Sequence, residues 1–241
     1  MKLSILRRLL VAEDRSLPVV LVTRLQDGRQ ALLAEPGSSL FESSDSETEH
    51  WLPPATVVSA GHHALREDKS RIVEEDGVCY FLEARNPRKR LFVIGAVHIA
   101  QFLAPMATMA GYDVTLIDPR KAWGTAERFP GVQILHEWPE SALRREAPDR
   151  RSAIVTLTHD AKLDDPALEL AIQTQAFYVG ALGSKRTHSR RLQRMKEKGV
   201  LAAEAARIHA PVGLDIGALS PAEIAVSILA ELTLTLHSDT L

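Results

Sequence analysis

Residues 91–118 read LFVIGAVHIAQFLAPMATMAGYDVTLID. The run from Leu91 to Ala96 is short and apolar, which is typical of a strand buried on both faces of a parallel sheet. Residues 98–110 are apolar at helical spacing and precede Gly111, a residue type that commonly ends helices. A second apolar run then starts at Asp113. This order predicts a strand, a helix and a second strand joined by a right-handed crossover.

The same alternation continues toward the C-terminus. Three more apolar runs predict strands: VQILH (132–136), SAIVTLTH (152–159) and AFYVGAL (176–182). Helices are predicted to start at Asp165-Pro166, at Ser184 and at Ser220, where Ser220 to Glu223 forms a capping box with proline at the first helical position. The predicted fold class is therefore α/β, a Rossmann-like doubly wound parallel sheet.

Residues 1–87 lack this regularity. They predict a helix (3–12), a hairpin of two strands around Asp27-Gly28, an acidic polar loop (38–50) and a strand (78–83). Asn86-Pro87 breaks the chain before a basic stretch. We therefore expect a smaller β-rich domain over residues 1–87 and the Rossmann-like domain over residues 88–241.

Composition bounds the class of protein. The 241 residues carry a net charge of −2, which makes electrostatic binding of nucleic acid unexpected. Cys79 is the one cysteine, so no disulfide forms within the chain. No uninterrupted apolar run approaches the roughly 20 residues needed to span a bilayer. We expect a cytoplasmic protein without stable membrane association.

The loops after the predicted strands carry the candidate binding residues, because ligands of such sheets bind beyond the carboxyl ends of the strands. Gly95 to Ala100 resembles a dinucleotide-binding glycine loop in which Val97 replaces the middle glycine, and its β-branched side chain obstructs the approach of a pyrophosphate. Asp118 ends the second strand where an acidic residue would bind a ribose hydroxyl, and Arg120 follows it. A helix start without ligand remains an equal alternative for this loop.

Thr158, His159 and Asp160 follow the fourth strand. His159 and Asp160 fit either proton transfer or metal binding, or else a structural role in which Asp160 caps the next helix. Both interpretations stand.

Gly183-Ser184-Lys185-Arg186 follows the fifth strand and is the most specific local signal. Free N–H groups and the helix dipole favour an anion at a helix start, where Lys185 and Arg186 are unfavourable unless a negative charge joins them. We therefore predict a phosphate site here. The cations further along this helix form either a solvated face or a docking surface for an acidic partner.

The loop at residues 211–217 contains Gly213, Asp215 and Gly217. The glycines serve either a strained backbone or a close approach to a ligand, and we favour the ligand. No nucleophile–base motif, P-loop or zinc-ligand spacing occurs, so neither a catalytic residue nor a metal site is predicted.

Four segments together resemble the C-terminal domain of the XdhC/CoxI family: residues 91–120, 157–168, 177–187 and 210–231. These are accessory proteins of xanthine dehydrogenase and carbon monoxide dehydrogenase. The resemblance implies a maturation factor, rather than an enzyme, that binds the molybdenum cofactor (molybdopterin or its dinucleotide) without using it. It implies a molybdenum hydroxylase as client. As our own hypotheses, the basic helix from Ser184 meets the client or a cysteine desulfurase, and His98 and His159 face the ligand.

Two features depart from the family pattern. Val97 stands where members have the second glycine of a Gly-Ala-Gly-His loop, and the Gly-Gly-Cys segment of many members is missing. The alternatives are an NAD(P)-dependent oxidoreductase, disfavoured by Val97, and an assembly scaffold that binds the client without cofactor. The apolar last helix is compatible with a homodimer.

Overall fold

The computed structural model describes residues 3–34 and 51–238. The chain divides into two compact units, Met1–Pro87 and Arg88–Leu241. The first contains a four-stranded sheet and the second a six-stranded sheet, each with helices. The predicted α/β fold class is confirmed. The acidic loop predicted at residues 38–50 lies outside the described residues.

The first unit is an antiparallel sheet covered by one helix on each face. Its elements are α1 (Leu3–Asp14), β1 (Val19–Arg24), β2 (Gln30–Ala34), α2 (Ala55–Arg66), β3 (Arg71–Glu75) and β4 (Val78–Arg85), with strand order β2-β1-β4-β3. Alternate β1 residues point to opposite faces, so Val19 and Leu21 pack with α1 while Val20 and Val22 pack with α2.

Two elements of this unit, α2 and β3, were not predicted. His62 and His63 lie on α2, where His63 Nδ1 is 3.2 Å from Glu67 Oε1. The helix signal was weak because Gly61 and the paired histidines interrupt it. Cys79 lies on β4 and is half-buried.

The second unit is a parallel sheet of six strands. They are β5 (Lys89–Ile94), β6 (Tyr112–Ile117), β7 (Gln133–Leu135), β8 (Ser152–Thr156), β9 (Tyr178–Ala181) and β10 (Ile208–His209), and their order is β10-β9-β8-β5-β6-β7. Every pair in the ladder is parallel. The chain moves outward from β5 to β7 and returns to β8 beside β5, so the strand order reverses between β5 and β8.

Helices cover both faces of this sheet. They are α3 (His98–Met109), α4 (Pro139–Glu146), α5 (Ala161–Ala171), α6 (Lys185–Glu197), α7 (Ala202–Ala205) and α8 (Pro221–His237). Helices α3 and α8 pack with one core cluster, and α4, α5 and α6 pack with the other. Because successive β5 residues enter alternate clusters, the strand reads as a continuous apolar run. None of the helices in the described ranges is long and apolar enough to cross a membrane.

The start predicted for α5 was wrong. The helix begins at Ala161 and is capped by Asp160, whose carboxylate accepts the N–H of Lys162 at 2.9 Å. Asp165 and Pro166 lie inside it, so the Asp-Pro pair marks no cap here. The capping box of α8 is confirmed, with Ser220 and Glu223 bonding reciprocally. Helix α8 buries Ala225, Ile228 and Leu232 but leaves Val226 and Leu234 exposed, and the homodimer stays a prediction.

The loop before α8 yields a first test. Gly213 has φ +93°, and a Cβ there would lie 2.3 Å from Ser227 Oγ and 3.1 Å from the Ile228 nitrogen. Gly217 has φ +74°, and a Cβ there would have nothing within 4 Å. Both Gly→Ala changes strain the backbone, but only Gly213→Ala also overpacks α8. We expect Gly213→Ala to lower the free energy of unfolding by about 1–3 kcal/mol more than Gly217→Ala in urea titrations. Equal losses would contradict this packing.

Candidate functional site

Five loops leave one edge of the parallel sheet. They follow the carboxyl ends of the strands, at Gly95, Asp118, Leu157, Leu182 and Ala210. We call these loops the rim. Neighbouring strands tie them together, since Leu157 donates its N–H to the carbonyl of Ile94 and Leu182 donates to Thr156, both at 2.9 Å. The crevice between β5 and β8 is the position where ligands bind in such sheets.

Gly95 forms the contact between the two central loops. It is buried with φ +109°, and a Cβ at this position would lie 2.6 Å from Thr158 Cγ2. Only glycine therefore allows the loops after β5 and β8 to meet. Ala100 of α3 is fully buried, and its small side chain allows the helix to pack closely on the sheet.

Helix α3 begins in this crevice without a side-chain cap. Its N-cap residue is Val97, whose side chain forms no cap hydrogen bond and packs partly on the core. His98, the first helical residue, is exposed. The N–H groups of this first turn are therefore available to an anion, although the β-branched side chain of Val97 leaves less room for the anion to reach them.

Asp118 is engaged within the protein. The residue is fully buried, and both carboxylate oxygens accept hydrogen bonds from Arg120, at 2.8 Å from Nε and 2.7 Å from Nη2. The backbone N–H groups of Ala96 and Arg120 also donate to this carboxylate, at 2.8 and 2.9 Å. Asp118 thus joins the loops after β5 and β6. The side chain of Asp118 is buried, whereas that of Arg120 is 35% exposed, so of this pair only Arg120 is accessible from the crevice.

Opposing effects set the ionisation of Asp118. Burial favours the neutral carboxyl, but the fork of Arg120 and the two backbone donors outweigh it and lower the pKa of Asp118. Arg120 stacks on Trp123, with the guanidinium carbon 4.4 Å from the ring centroid. The arginine is thereby held over the rim from two sides.

The loop after β8 takes a structural role at two of its three predicted residues. Thr158 Oγ1 donates to Asp164 Oδ1 at 2.6 Å and accepts the N–H of Asp160 at 3.0 Å. Asp160 caps α5, as the structural interpretation predicted. His159 is exposed with φ +60° and forms no hydrogen bond to other described residues. The assignment of His159 to a ligand stays a prediction.

A charged cluster between α5 and α6 was missed by the sequence analysis. Arg194 binds the carboxylate of Asp165 through Nε at 2.6 Å and Nη2 at 3.0 Å. Arg191 is buried, donates to the Leu182 carbonyl at 3.2 Å and lies 3.8 Å from Asp164 Oδ2. The available signal was the adjacent acids 164 and 165 with two arginines one helical turn apart on α6.

The Asp164–Arg191 pair is weak. Burial raises the pKa of Asp164, against the opposing effects of Thr158 and Arg191. Burial likewise lowers the pKa of Arg191, against the two aspartates. Both pKa shifts favour the neutral forms, which indicates that the attraction between Asp164 and Arg191 at 3.8 Å does not fully offset their loss of hydration.

The loop after β9 leads into the first turn of α6, where two cationic side chains are exposed to solvent. Gly183 has φ +138°, and Ser184 caps α6 by accepting the N–H of Thr187 at 3.2 Å. Lys185 and Arg186 are exposed, and neither forms an ion pair within the described ranges. This is the arrangement that predicted a phosphate site, with uncompensated cations beside the positive end of a helix dipole.

The loop before α8 has a structural explanation that the sequence analysis did not favour. Gly213 packs against Ser227, and its N–H donates to Glu231 Oε2 at 2.7 Å. The same carboxylate accepts the Tyr178 hydroxyl and lies 3.0 Å from His209 Nδ1. Burial would raise the pKa of Glu231, but the bonds from His209 and Tyr178 prevail and lower it. Close packing on α8 thus accounts for Gly213, whereas Asp215 and Gly217 are exposed.

The rim therefore combines two helix starts with three side-chain cations: the uncapped turn of α3, the turn of α6, Lys185, Arg186 and the partly exposed Arg120. It can stabilise a negatively charged group. Among the described residues, no group of three or more His, Cys, Asp or Glu side chains is arranged to hold a metal ion.

Comparison with known proteins agrees with the Rossmann-like fold of the second unit. The family model of the XdhC Rossmann domain matches residues 91–232. Over 154 residues the chain is 34% identical to the molybdenum cofactor insertion chaperone PaoD of Escherichia coli K12, covering 64% of this chain and 42% of PaoD. It is 35% identical over 152 residues to protein YqeB of the same organism, covering 63% of the chain and 28% of YqeB.

A third relative is a probable xanthine dehydrogenase subunit from Bacillus subtilis 168, 31% identical over 156 residues, which are 64% of this chain and 45% of that protein. The chain thus spans less than half the length of each of these relatives. Among solved structures, a xanthine dehydrogenase from Bacillus halodurans superposes with a TM-score of 0.68 at 22% identity, covering 98% of this chain and 64% of that one. This likeness concerns the fold.

The Asp118–Arg120 pair gives a test of the rim's internal electrostatics. Arg120→Ala leaves a buried carboxylate without its cation, and we expect a loss of about 3–5 kcal/mol in unfolding free energy at pH 7. Lys121→Ala, an exposed neighbour, should stay within about 0.5 kcal/mol of wild type.

The difference should depend on pH. In wild type the lowered pKa of Asp118 contributes stability above an unfolded pKa of about 3.9, which is lost as pH falls through the folded pKa. In Arg120→Ala the unpaired carboxyl should have a raised pKa, so the variant recovers as pH falls through it. Urea unfolding from pH 7 to pH 4 should therefore show a shrinking difference. A constant difference would contradict the pairing.

Proposed function

The chain belongs to the XdhC family, and from this premise we propose that it is an accessory protein that binds the molybdenum cofactor and assists its insertion into a molybdenum hydroxylase. The role of PaoD as an insertion chaperone supports this proposal. Xanthine dehydrogenase is the client class suggested by the names of the Bacillus relatives. The cofactor is carried rather than used, so the protein itself performs no catalytic step.

One observation carries the binding half of the proposal. Lys185 and Arg186 stand at the start of α6 with no ion pair in the described part of the chain. Elsewhere the second unit pairs several of its charges, as Asp118 does with Arg120 and Asp165 with Arg194. Two cations beside a positive helix end interact unfavourably with the helix dipole, and an anion bound between them would offset this effect. The phosphate of the pterin, or the pyrophosphate of its dinucleotide, supplies that charge.

The residues present fit the phosphate end of the cofactor. The α6 start offers backbone N–H groups and two cations, and the α3 start offers a second helix N-terminus, which has no side-chain cap. Arg120, on the loop after β6, adds a partly exposed guanidinium. His98 and His159 are assigned to the pterin end as exposed hydrogen-bonding groups. When bound, the cofactor supplies the molybdenum centre for the client, and this chain orients it through phosphate.

An NAD(P)-binding oxidoreductase is the rival. The Rossmann strand order and the Gly95 turn favour a dinucleotide. However, the side chain of Val97 obstructs the approach of a pyrophosphate to the start of α3, and Asp118 is bound to Arg120. The acidic residue that would bind a ribose hydroxyl is therefore occupied. A titration with NADH followed by intrinsic fluorescence should give no saturable binding at micromolar concentration. Saturation in that range would favour the oxidoreductase.

The proposal is tested by purification of the full chain from a host that makes the cofactor, followed by pterin and molybdenum analysis. Lys185→Ala/Arg186→Ala removes two charge-assisted contacts, each worth about 1.5–3 kcal/mol, so bound pterin should fall at least about tenfold. The control Arg88→Ala/Arg190→Ala removes the same charge away from the predicted phosphate site and should retain pterin. Equal retention by both double variants would contradict the phosphate assignment, and absence of pterin from wild type would favour a scaffold without cofactor.

A further inference from the structure

An apolar groove runs along α6 and α7, on a part of the second unit that the phosphate site does not use. Its volume is about 580 Å³. The residues that line it are His188, Leu192, Lys196, Val200, Leu201, Ala202, Ala205, Ala206 and Ile208. Leu201 is 65% exposed beside it, so the groove presents a large apolar side chain to water. A concave apolar surface of this size is of the kind that binds a ligand or a partner.

The α6 wall has the spacing of a helix-binding groove. Residues 188, 192 and 196 follow each other at intervals of four, so they lie along one face of α6 over about 12 Å. Amphipathic helices insert apolar side chains into such grooves at intervals of three, four and seven residues. The opposite wall is built from alanines of α7 and its flanks, which leaves room for inserted side chains.

Lys196 is the one formally charged side chain among the described residues that line the groove. It forms no ion pair with other described residues, whereas Arg194 and Lys198 of the same helical segment are paired with Asp165 and Glu169. On α7 the carboxylate of Glu204 accepts the N–H of Leu201 at 3.0 Å, so it is held at its own helix start. Lys196 is therefore left for an acidic occupant.

We propose that this groove docks an acidic amphipathic helix of a partner protein, with apolar side chains in the groove and a carboxylate beside Lys196. The inference rests on the proposed function only for the nature of that partner, the molybdenum hydroxylase client. The docked helix would bring the client to the helix whose first turn binds the phosphate. Docking itself needs no cofactor, so the two proposals can fail separately.

The test is fluorescence anisotropy with the full chain and three labelled synthetic peptides: an acidic amphipathic helix with leucine anchors, the same helix with serine in place of leucine, and a basic helix with the same leucines. Only the first should bind, at least about tenfold more tightly than the others, and its affinity should fall with added salt. Equal binding of the acidic and basic helices, or no binding of either, would overturn the proposal.

Two variants locate the binding site. Ala206→Glu places a carboxylate in the groove at an exposed position, and affinity for the acidic helix should fall at least about tenfold through like-charge repulsion. Ala203→Glu adds the same charge on exposed α7 surface outside the groove and should bind within about twofold of wild type. Equal weakening of peptide binding by both variants would overturn the partner assignment. So would sedimentation showing that the wild type is a dimer and that only Ala206→Glu is monomeric, because the groove would then bind a second copy of this chain.

Discussion

The contact between Gly95 and Thr158 is the constraint on which the candidate site depends. It holds the loops after β5 and β8 together at the point where the strand order reverses. Any side chain at position 95 would separate them, because its Cβ would lie 2.6 Å from Thr158 Cγ2. Thr158 in turn bonds to Asp164 inside α5, so the crevice between the strands is continuous with the charged cluster behind it. The starts of α3 and α6 follow the carboxyl ends of parallel strands and so open at the same edge of the sheet.

The second unit separates charges that stabilise the fold from charges that remain available. Asp118 binds Arg120 within the loop after β6, and Asp165 and Arg194 join α5 to α6. Both pairs are bidentate, which fixes geometry as well as charge. Lys185 and Arg186 have no such role in the described structure, and their position at a helix start makes an external anion the simplest partner. The phosphate of the proposed cofactor is an anion of this kind.

The sequence predicted the Rossmann-like sheet well because buried parallel strands and capped helices leave strong local signals. The run from Leu91 to Ile94, the cap at Ser184 and the capping box at Ser220 all have local causes. The start of α5 was misplaced because two Asp residues compete for the cap, and the turn that selects Asp160 depends on Thr158. Helix α2 was missed because its pattern is interrupted by Gly61.

The site was predictable only where a residue's role is local. The helix start at Ser184 could be read from its neighbours, but the roles of Asp118 and Gly213 could not. Asp118 binds Arg120 because burial leaves no water to solvate it, and Gly213 packs on Ser227 of a helix that begins several residues later. Arg191 could not be identified as buried within a helix that is otherwise basic and exposed. Tertiary packing decides all three.

The most direct measurement of the central claim is a titration of the ¹⁵N-labelled full chain with pyrophosphate, followed by amide chemical shifts. The account predicts saturable shifts at His98, Lys185 and Arg186 with one shared dissociation constant, because both helix starts face the same bound anion. Amides of α2 in the other unit should not move. Shifts confined to the α6 turn, or spread over exposed cations without saturation, would contradict a single anion site at the rim.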